Sequence, residues 1–255
     1  MKFTSLFSGS SGNCSLIESK DSKILLDVGV SYTKIKKVLH EVNLTPTDID
    51  AVFITHEHSD HISGLSRWLL YNSARPVFVH ERGYEALSQK TQWKSYSVFN
   101  KEFVFRDIRV STYECCHDSA YCCGYRFFDT TGDIAVVTDT GVATMALVDF
   151  VRGARTVMLE SNYDAELLLE GNYPYMLKQR IMSEHGHLSN EQNSQIVERI
   201  AKYGLHNLIL GHLSEHNNTE ELARGRATTT LHRLGAESDI KLVVASHTQR
   251  SITLE

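Results

Sequence analysis

Short apolar runs recur along the chain, and segments with helical spacing of apolar residues lie between them. The runs are typical of buried strands, and they cover residues 24–27, 51–54, 76–79, 134–138, 155–159 and 207–210. The segments between them predict helices at 31–41, 62–71, 80–87, 163–169, 174–182, 189–202 and 219–233, with a further helix from about residue 142. This alternation of strands and helices indicates an α/β fold.

Further strands are predicted near the two ends of the chain and in its middle. They cover residues 2–7, 14–19, 93–113, 121–128, 240–245 and 250–254. The small residues at 8–13 would form a hairpin turn or bring backbone N–H groups close to an anion. Helix ends are predicted at Ser189 with Gln192, at Asn218 with Glu221, and at Gly235. No low-complexity linker interrupts these elements, so we predict one domain over residues 1–255.

The segment after the apolar run at 51–54 is rich in metal-binding side chains. Residues 56–61 contain three imidazoles and two carboxylates, at His56, Glu57, His58, Asp60 and His61. These groups bind borderline divalent metals well. His56 and His58 are two residues apart and would point the same way from an extended chain, whereas Asp60 and His61 need a turn. A helical metalloprotease motif would place its histidines four apart. We therefore predict a metal site rather than a solvated polar loop.

Other polar residues stand at the ends of predicted strands or just before predicted helices. They are His117, Asp139, His187 and His212. Taken alone, His117 could be structural, Asp139 could cap the helix that begins near residue 142, and His187 could simply precede a helix cap. A site for two ions, however, needs a further imidazole and an anionic bridge. This need favours metal binding by His117 and Asp139.

The composition says more about where the protein is located than about what it binds. The 255 residues are 42% hydrophobic and 22% charged with a net charge of −5, which is ordinary for a soluble protein and lacks the basic field of many nucleic-acid binders. Two bound divalent ions would still attract phosphate locally. No signal peptide or membrane span is evident, and the cysteine count is five, an odd number. We expect a cytoplasmic protein without membrane association.

Four of the cysteines are clustered and raise the question of a second metal site. They are Cys115, Cys116, Cys122 and Cys123. Adjacent residues on a strand point to opposite faces, so these four thiols would not easily converge on one ion. We therefore expect them to be small buried side chains rather than a thiolate zinc site.

The order of the candidate ligands resembles the metallo-β-lactamase superfamily. The matching pattern is His-x-His-x-Asp-His at 56–61, followed by His117, Asp139 and His212. The resemblance covers nearly the whole chain and implies a four-layer αβ/βα sandwich, in which two mixed β-sheets are flanked by helices. Within the superfamily the chain is similar to the YycJ/WalJ-type (VicX-like) branch, which is associated with 5′ exonuclease activity on DNA. This likeness rests on residues 8–13, 117–118, 160–162, 186–190, 212–214 and 217–218, whereas Tyr163 replaces an expected histidine.

The resemblance implies a role for each candidate residue. One divalent ion would be held by His56, His58 and His117, and a second by Asp60, His61 and His212, with Asp139 as the bridge. Zinc, manganese or iron would suit these ligands. Two such ions lower the pKa of a shared water, so that hydroxide can attack a phosphate near neutral pH. Asp60 would also orient the nucleophile, and His187 would be the general acid. The predicted substrate contacts are Ser10, Asn13 and Asn217.

The preferred function is a binuclear metal-dependent phosphodiesterase that acts as a 5′ exonuclease on DNA. A glyoxalase II-type hydrolase of small esters, thioesters or lactones would share the same ligands, but the element around His187 favours phosphodiester cleavage. An RNA-processing nuclease would usually carry an inserted domain or a protruding arm, and neither is evident. A non-catalytic metal-binding regulator would be expected to have lost some ligands. We expect a nucleic-acid substrate, DNA, and no obligate protein partner.

Overall fold

Two mixed β-sheets form the centre of the protein in a computed structural model, which describes residues 1–251 and 253–255. The strands of the first sheet lie side by side in chain order. They are β1 (Lys2–Phe7), β2 (Cys14–Glu18), β3 (Lys23–Leu26), β4 (Ala51–Phe53), β5 (Val77–His80) and β6 (Ser97–Phe99). The first three strands pair antiparallel, and the pairs from β3 to β6 are parallel.

The second sheet repeats this division into an antiparallel half and a parallel half. Its strands are β7 (Phe103–Phe105), β8 (Ile108–Cys115), β9 (Cys122–Asp129), β10 (Gly132–Val137), β11 (Thr156–Glu160), β12 (Asn207–Gly211) and β13 (Lys241–Val244). The pairs from β7 to β10 are antiparallel, and those from β10 to β13 are parallel. Each sheet therefore has a parallel half in which neighbouring strands end on the same side.

Helices connect the strands, as the apolar spacing predicted. They are α1 (Tyr32–Glu41), α2 (Ser59–Ile62), α3 (Leu65–Tyr71), α4 (Glu81–Thr91), α5 (Met145–Val151), α6 (Ala165–Glu170), α7 (Tyr175–Met182), α8 (Asn190–Ile200) and α9 (Glu220–Leu234), with a 3₁₀ turn at Pro46–Asp48. Over the described ranges 1–251 and 253–255, none of these helices has the length and apolar character needed to cross a bilayer.

Helices cover the outer face of each sheet, and the two inner faces pack against each other. One apolar cluster joins the first sheet to α1, α3 and α4, and a second joins the other sheet to α5, α8 and α9. A third cluster contains side chains of both sheets, including Phe53 and Tyr125, whose rings meet edge to face with centroids 5.7 Å apart. Full burial of such a side chain contributes about 1.5–3 kcal/mol. The layers confirm the predicted αβ/βα sandwich.

Two predicted helix starts differ from the structure because other side chains form the caps. The helix expected from about residue 142 begins at Met145, where the side chain of Thr144 caps the first turn. Asp139 is therefore not a helix cap. The helix expected from residue 219 is capped by Thr219 itself, while the predicted cap, Asn218, is buried.

The predicted helix over 62–71 is divided into α2 and α3 at residues 63–64. Gly64 lies against the segment that precedes α1, where its N–H donates to the Val28 carbonyl at 2.9 Å. A Cβ atom at Gly64 would lie 2.3 Å from the Val30 oxygen, so this close approach requires glycine. The break turns the chain sharply after the histidine-rich segment.

The C-terminal segment forms less β-structure than predicted. Of the strand expected at 250–254, the structure contains an isolated antiparallel bridge between Phe3 and Leu254. Ile252 lies outside the described residues. The bridge attaches the end of the chain to β1.

Candidate metal centre

Polar residues follow the parallel strands of both sheets and meet at one rim. Asp27 follows β3, His56 lies just after β4, Asp139 after β10 and His212 after β12, and Glu160 is the last residue of β11. Asp27, Asp139 and His212 have φ angles of 60°, 58° and 54°. This left-handed conformation costs roughly 1–2 kcal/mol for a residue other than glycine. Such strain concentrates at functional sites, where surrounding contacts maintain it.

Three histidines form the first group of converging side chains. Ring nitrogens of His56, His58 and His117 lie within 4.8 Å of one another. His117 donates from Nδ1 to the Gly186 carbonyl at 3.1 Å, which leaves its Nε2 3.3 Å from Nδ1 of His58. Nδ1 of His56 lies 3.0 Å from Thr55 Oγ1, and its Nε2 is buried without a hydrogen-bond partner in the described part of the chain. Each ring therefore presents one nitrogen to a common point.

A second group contains Asp60, His61, Asp139 and His212, again within 4.8 Å. Nε2 of His61 lies 3.1 Å from Oδ2 of Asp139 and 3.4 Å from Oδ2 of Asp60. Nε2 of His212 lies 3.4 Å from Asp60 Oδ2 and 3.5 Å from Asp139 Oδ1. The same Asp139 Oδ1 atom is 3.7 Å from Nε2 of His117. Asp139 thus lies between the two groups.

Two buried carboxylates, to which sequence reasoning gave no role, hold these imidazoles. Asp27 Oδ2 accepts a hydrogen bond from Nδ1 of His61 at 2.7 Å. Glu160 Oε1 lies 2.8 Å from Nδ1 of both His187 and His212. Such partners fix the orientation and tautomer of a metal-binding histidine. The available signal was that each carboxylate stands at the end of a buried strand.

His187 lies beside the second group, next to Glu160. Its Nδ1 atom is 3.7 Å from Asp139 Oδ1, and its side chain is 20% exposed. The Ser189 cap of α8 forms as predicted, and the N–H of Leu188 donates to Glu160 Oε2 at 3.1 Å. The loop before α8 is therefore attached to the same carboxylate that holds the imidazole.

The charges of this cluster shift the pKa values of its members in opposite directions. Burial opposes ionisation of Glu160, but the imidazoles of His187 and His212 outweigh it and lower the pKa of Glu160 to about 2. Burial likewise opposes protonation of His212, yet neighbouring carboxylates, led by Asp139, raise its pKa to about 10. The pKa of His187 is also raised, because the charge and hydrogen bond of Glu160 outweigh burial. The carboxylates thus favour bound cations, whether protons or metal ions.

The side chains of both groups fit divalent metal ions. The Nε2 atom of His56 is buried without a hydrogen-bond partner among the described residues, and leaving such an atom unbound lowers the free energy of unfolding by about 1–3 kcal/mol. A metal ion at the meeting point of the three rings removes that cost. Imidazoles and carboxylates in sets of three or four are the ligands of zinc, manganese and iron sites.

Of the predicted substrate contacts, Ser10 is open to solvent, while Asn13 and Asn217 are buried. A substrate contact by Ser10 stays a prediction. The side-chain amide of Asn13 lies 3.4 Å from Asp60 Oδ2 and braces the small-residue loop against the metal centre. The side chain of Asn217 is 1% exposed and donates to Ser214 Oγ at 3.3 Å. The substrate contacts of Asn13 and Asn217 likewise stay predictions.

The clustered cysteines and Tyr163 pack next to the centre. Cys115 faces Cys122 across β8 and β9, and Cys122 Sγ lies 3.6 Å from His56 Nδ1. The cysteines are free thiols, and the ligand groups found among the described residues include none of them. These findings favour small packed side chains, three of them buried and Cys116 partly buried, over a thiolate zinc site. Tyr163 is also buried, and its backbone forms a parallel bridge with Ser189.

Known proteins resemble this chain along nearly its whole length. The family described as Metallo-beta-lactamase superfamily matches residues 8–212. The exodeoxyribonuclease WalJ of Streptococcus pneumoniae serotype 2 is 35% identical over 94% of this chain and 93% of its own. The exodeoxyribonuclease YycJ of Bacillus anthracis is 32% identical over 92% of this chain and 90% of its own.

A solved structure supports the same fold at lower sequence identity. The metallo-beta-lactamase fold protein YhfI from Bacillus subtilis matches with a TM-score of 0.74 and 18% identity, over 98% of both chains. This match supports the fold described above. The matched family and the two exodeoxyribonucleases agree with this fold assignment. The chain belongs to the metallo-β-lactamase superfamily and is similar to its YycJ/WalJ-type branch.

Proposed function

We propose that this protein is a 5′ exonuclease that hydrolyses phosphodiester bonds of DNA with two divalent metal ions. The observation that carries the proposal is the pair of adjacent ligand groups, which have Asp139 between them. The similarity to two proteins named exodeoxyribonuclease supports DNA as the substrate. The 5′ polarity rests on the resemblance to the same branch.

The ligand groups divide naturally between two ions. The first ion would be held by His56, His58 and His117, and the second by Asp60, His61 and His212, with Asp139 shared between them. Zinc, manganese and iron all suit these residues. When bound, the two ions would supply an activated water and offset the negative charge that develops on the phosphate.

Asp60 is suited to orient the attacking water. Its contacts with His61 and His212 use Oδ2. We therefore assign Oδ1 to accept a hydrogen bond from the water and direct its oxygen at the phosphorus. The Asp60 side chain is 21% exposed, so a substrate can reach it from solvent.

His187 is suited to protonate the leaving group. Glu160 accepts a hydrogen bond from its Nδ1 atom and raises the pKa of His187, which favours the doubly protonated ring with a proton on Nε2. The attacking water loses one proton to solvent when it is activated. As its oxygen forms the new bond to phosphorus, the bond from phosphorus to the sugar oxygen breaks. The Nε2 proton passes to that sugar oxygen and prevents a free alkoxide.

The test is cleavage of end-labelled single- and double-stranded DNA and RNA in the presence of Mn²⁺ or Zn²⁺. A small phosphodiester chromophore and a thioester are assayed in parallel, with Asp60→Ala as the blank. We expect stepwise loss of nucleotides from the 5′ end of DNA by the wild type and none by the variant. Intact DNA together with rapid thioester hydrolysis would replace this proposal with a small-molecule hydrolase, and preferential RNA cleavage would replace it with an RNA nuclease.

A further inference from the structure

A cleft lined by basic residues lies beside the loop that braces the metal centre. Lys34 and Lys37 of α1 form one wall, and His247 and Arg250, which follow β13, form the other. The cleft has a volume of about 220 Å³. We refer to it as the basic cleft.

The basic cleft carries an excess of positive charge in a chain whose net charge is −5. Lys34, Lys37 and Arg250 contribute three permanent cations, against the single carboxylate of Glu41. Glu41 Oε2 lies 3.9 Å from Arg250 Nε, whereas both lysines are exposed. Within the described part of the cleft, the lysine charges are therefore left for an external anion. A concave surface with such charge is complementary to phosphate.

Direct contacts connect the basic cleft to the metal centre. Gly9 packs so closely on His247 that a Cβ atom at Gly9 would lie 1.9 Å from its Nδ1. The N–H of Gly9 donates to Asn13 Oδ1 at 3.0 Å, and Asn13 Nδ2 lies 3.4 Å from Asp60 Oδ2. His247 of the basic cleft is thus connected to Asp60 through Gly9 and Asn13.

The helix that forms the other wall of the basic cleft begins near the backbone of Asp60. Gly29 precedes the Ser31 cap of α1 and packs against the backbone of Asp60, where a Cβ atom would lie 1.7 Å from the Asp60 oxygen. Lys34 lies in the first half of α1, and Lys37 follows it one turn later. The helix that carries both lysines therefore begins beside the segment that carries Asp60.

We propose that the basic cleft binds backbone phosphates of the DNA strand next to the scissile bond. This proposal rests on the nuclease function given above and adds how a polymer is recognised. Contacts between lysine or arginine and phosphate are independent of sequence and weaken as salt displaces them. A small phosphodiester has no second phosphate to reach the cleft, so these residues select polynucleotides over small substrates.

The test compares Lys34→Ala/Lys37→Ala with the wild type and with Lys36→Ala. Lys36 is exposed on the same helix but does not line the basic cleft, so its variant controls for loss of surface charge. Steady-state kinetics are measured at several salt concentrations on a long single-stranded oligonucleotide and on bis(p-nitrophenyl) phosphate. For the double variant we expect KM for the oligonucleotide to rise on the order of tenfold. The slope of log(kcat/KM) against log[salt] should become shallower by about 1.4.

Hydrolysis of the chromophore should be unchanged in the double variant, and Lys36→Ala should behave as the wild type on both substrates. A double variant with wild-type kinetics and salt dependence on DNA would overturn the basic cleft as a phosphate site and leave the nuclease function intact. An equal loss with Lys36→Ala would also overturn it, because the effect would then be one of overall charge. A wild type that hydrolyses the chromophore but not DNA would overturn the nuclease function and this proposal together.

Discussion

Glu160 connects two histidines that have different tasks in the proposed reaction. One carboxylate oxygen lies 2.8 Å from Nδ1 of both His187 and His212. The Glu160 side chain is fully buried, so loss of these contacts would leave a buried charge that water does not solvate. His212 is a candidate metal ligand and His187 a candidate proton donor. Glu160 is therefore a positioning residue for both functions.

Glu160→Gln should weaken metal binding and slow turnover together. The amide is nearly the same size, but it loses the negative charge that orients the two imidazoles. Loss of such a partner typically lowers metal affinity or activity by about 10–100-fold. Metal titration and DNA-degradation rates on the same preparation measure both effects. Wild-type metal affinity in this variant would show that Glu160 does not position His212.

His187→Ala should slow turnover without weakening metal binding, unlike Glu160→Gln. Removal of a general acid lowers turnover by about 10²–10⁴-fold. The metal content of the protein should stay at the wild-type level, since His187 belongs to neither proposed ligand set. Elemental analysis and single-turnover kinetics provide the measurement. Unchanged turnover would remove His187 from the mechanism.

Sequence reasoning identified the histidines of the centre but not their partners. The spacing within 56–61 is informative by itself, because such a density of ligands is rare in a loop. Asp27 and Glu160 lie far from their partners along the chain, and only the packing of strands brings them together. The substrate contacts of Asn13 and Asn217 stay predictions, and the sequence alone did not indicate that both side chains are buried.

The loops at the strand ends depend on glycines that allow close backbone contacts. Gly29 lies two residues after Asp27, in the loop that follows β3, and its Cα faces the backbone carbonyl of Asp60. The segment 59–62, which carries Asp60 and His61, forms the short helix α2 in that space. Any added atom at residue 29 must displace this helix.

Gly29→Ala should destabilise the protein and impair metal binding, whereas Gly225→Ala should stabilise it. Overpacking at Gly29 costs about 1–3 kcal/mol. Gly225 lies in α9, and a methyl group added there would meet no neighbouring atom within 4 Å, so alanine contributes about 0.5–1 kcal/mol. Thermal melts measure both, with a shift of about 2–4 °C per kcal/mol. Equal melting temperatures for the two variants would contradict the packing described for α2.

Most strands were predictable because they are short apolar runs, but several helix boundaries were not. Several polar residues near each of these helices could serve as the cap. In the structure the caps are Thr144 and Thr219, and the sequence alone does not distinguish them from their polar neighbours. The break at Gly64 follows from a contact with the Val28 carbonyl on a distant segment. Such a contact between distant segments cannot be predicted from the local sequence.

The whole molecule can be viewed as two similar halves with the candidate ligands between them. Each sheet contributes polar residues from the ends of its parallel strands, and the apolar core joins the two inner faces. Metal ions at this boundary would link the halves. Their removal should therefore affect stability as well as activity.

A chelator should lower the melting temperature, and the metal-dependent difference should grow as pH rises. A ligand present at 100 times its Kd stabilises the folded state by about 2.7 kcal/mol. Without metal, the raised pKa of His212, about 10, gives a proton-linked stability that is complete below the pKa of the unfolded histidine, about 6.5, and declines above it. Metal binding instead requires the neutral imidazole. Melts with and without chelator between pH 6 and 9 test the sign, and a difference that shrinks with pH would contradict it.

The four-layer architecture could be inferred only through resemblance to a family. Apolar runs and amphipathic helices predict an α/β fold, but they do not specify that the strands divide into two sheets. That division depends on how β6 and β7 separate at residues 100–102 and on inner-face packing between distant strands. These are properties of the assembled fold.

The number of metal ions bound per chain is the most direct test of the binuclear centre. The wild type, His58→Ala and His212→Ala are each reconstituted with Zn²⁺ or Mn²⁺ and freed of excess metal. Their metal content is then measured by inductively coupled plasma mass spectrometry. We expect two ions in the wild type and at most one in each variant, because each substitution removes a ligand from a different group. A wild type that binds only one ion, or variants that still bind two, would contradict the binuclear centre.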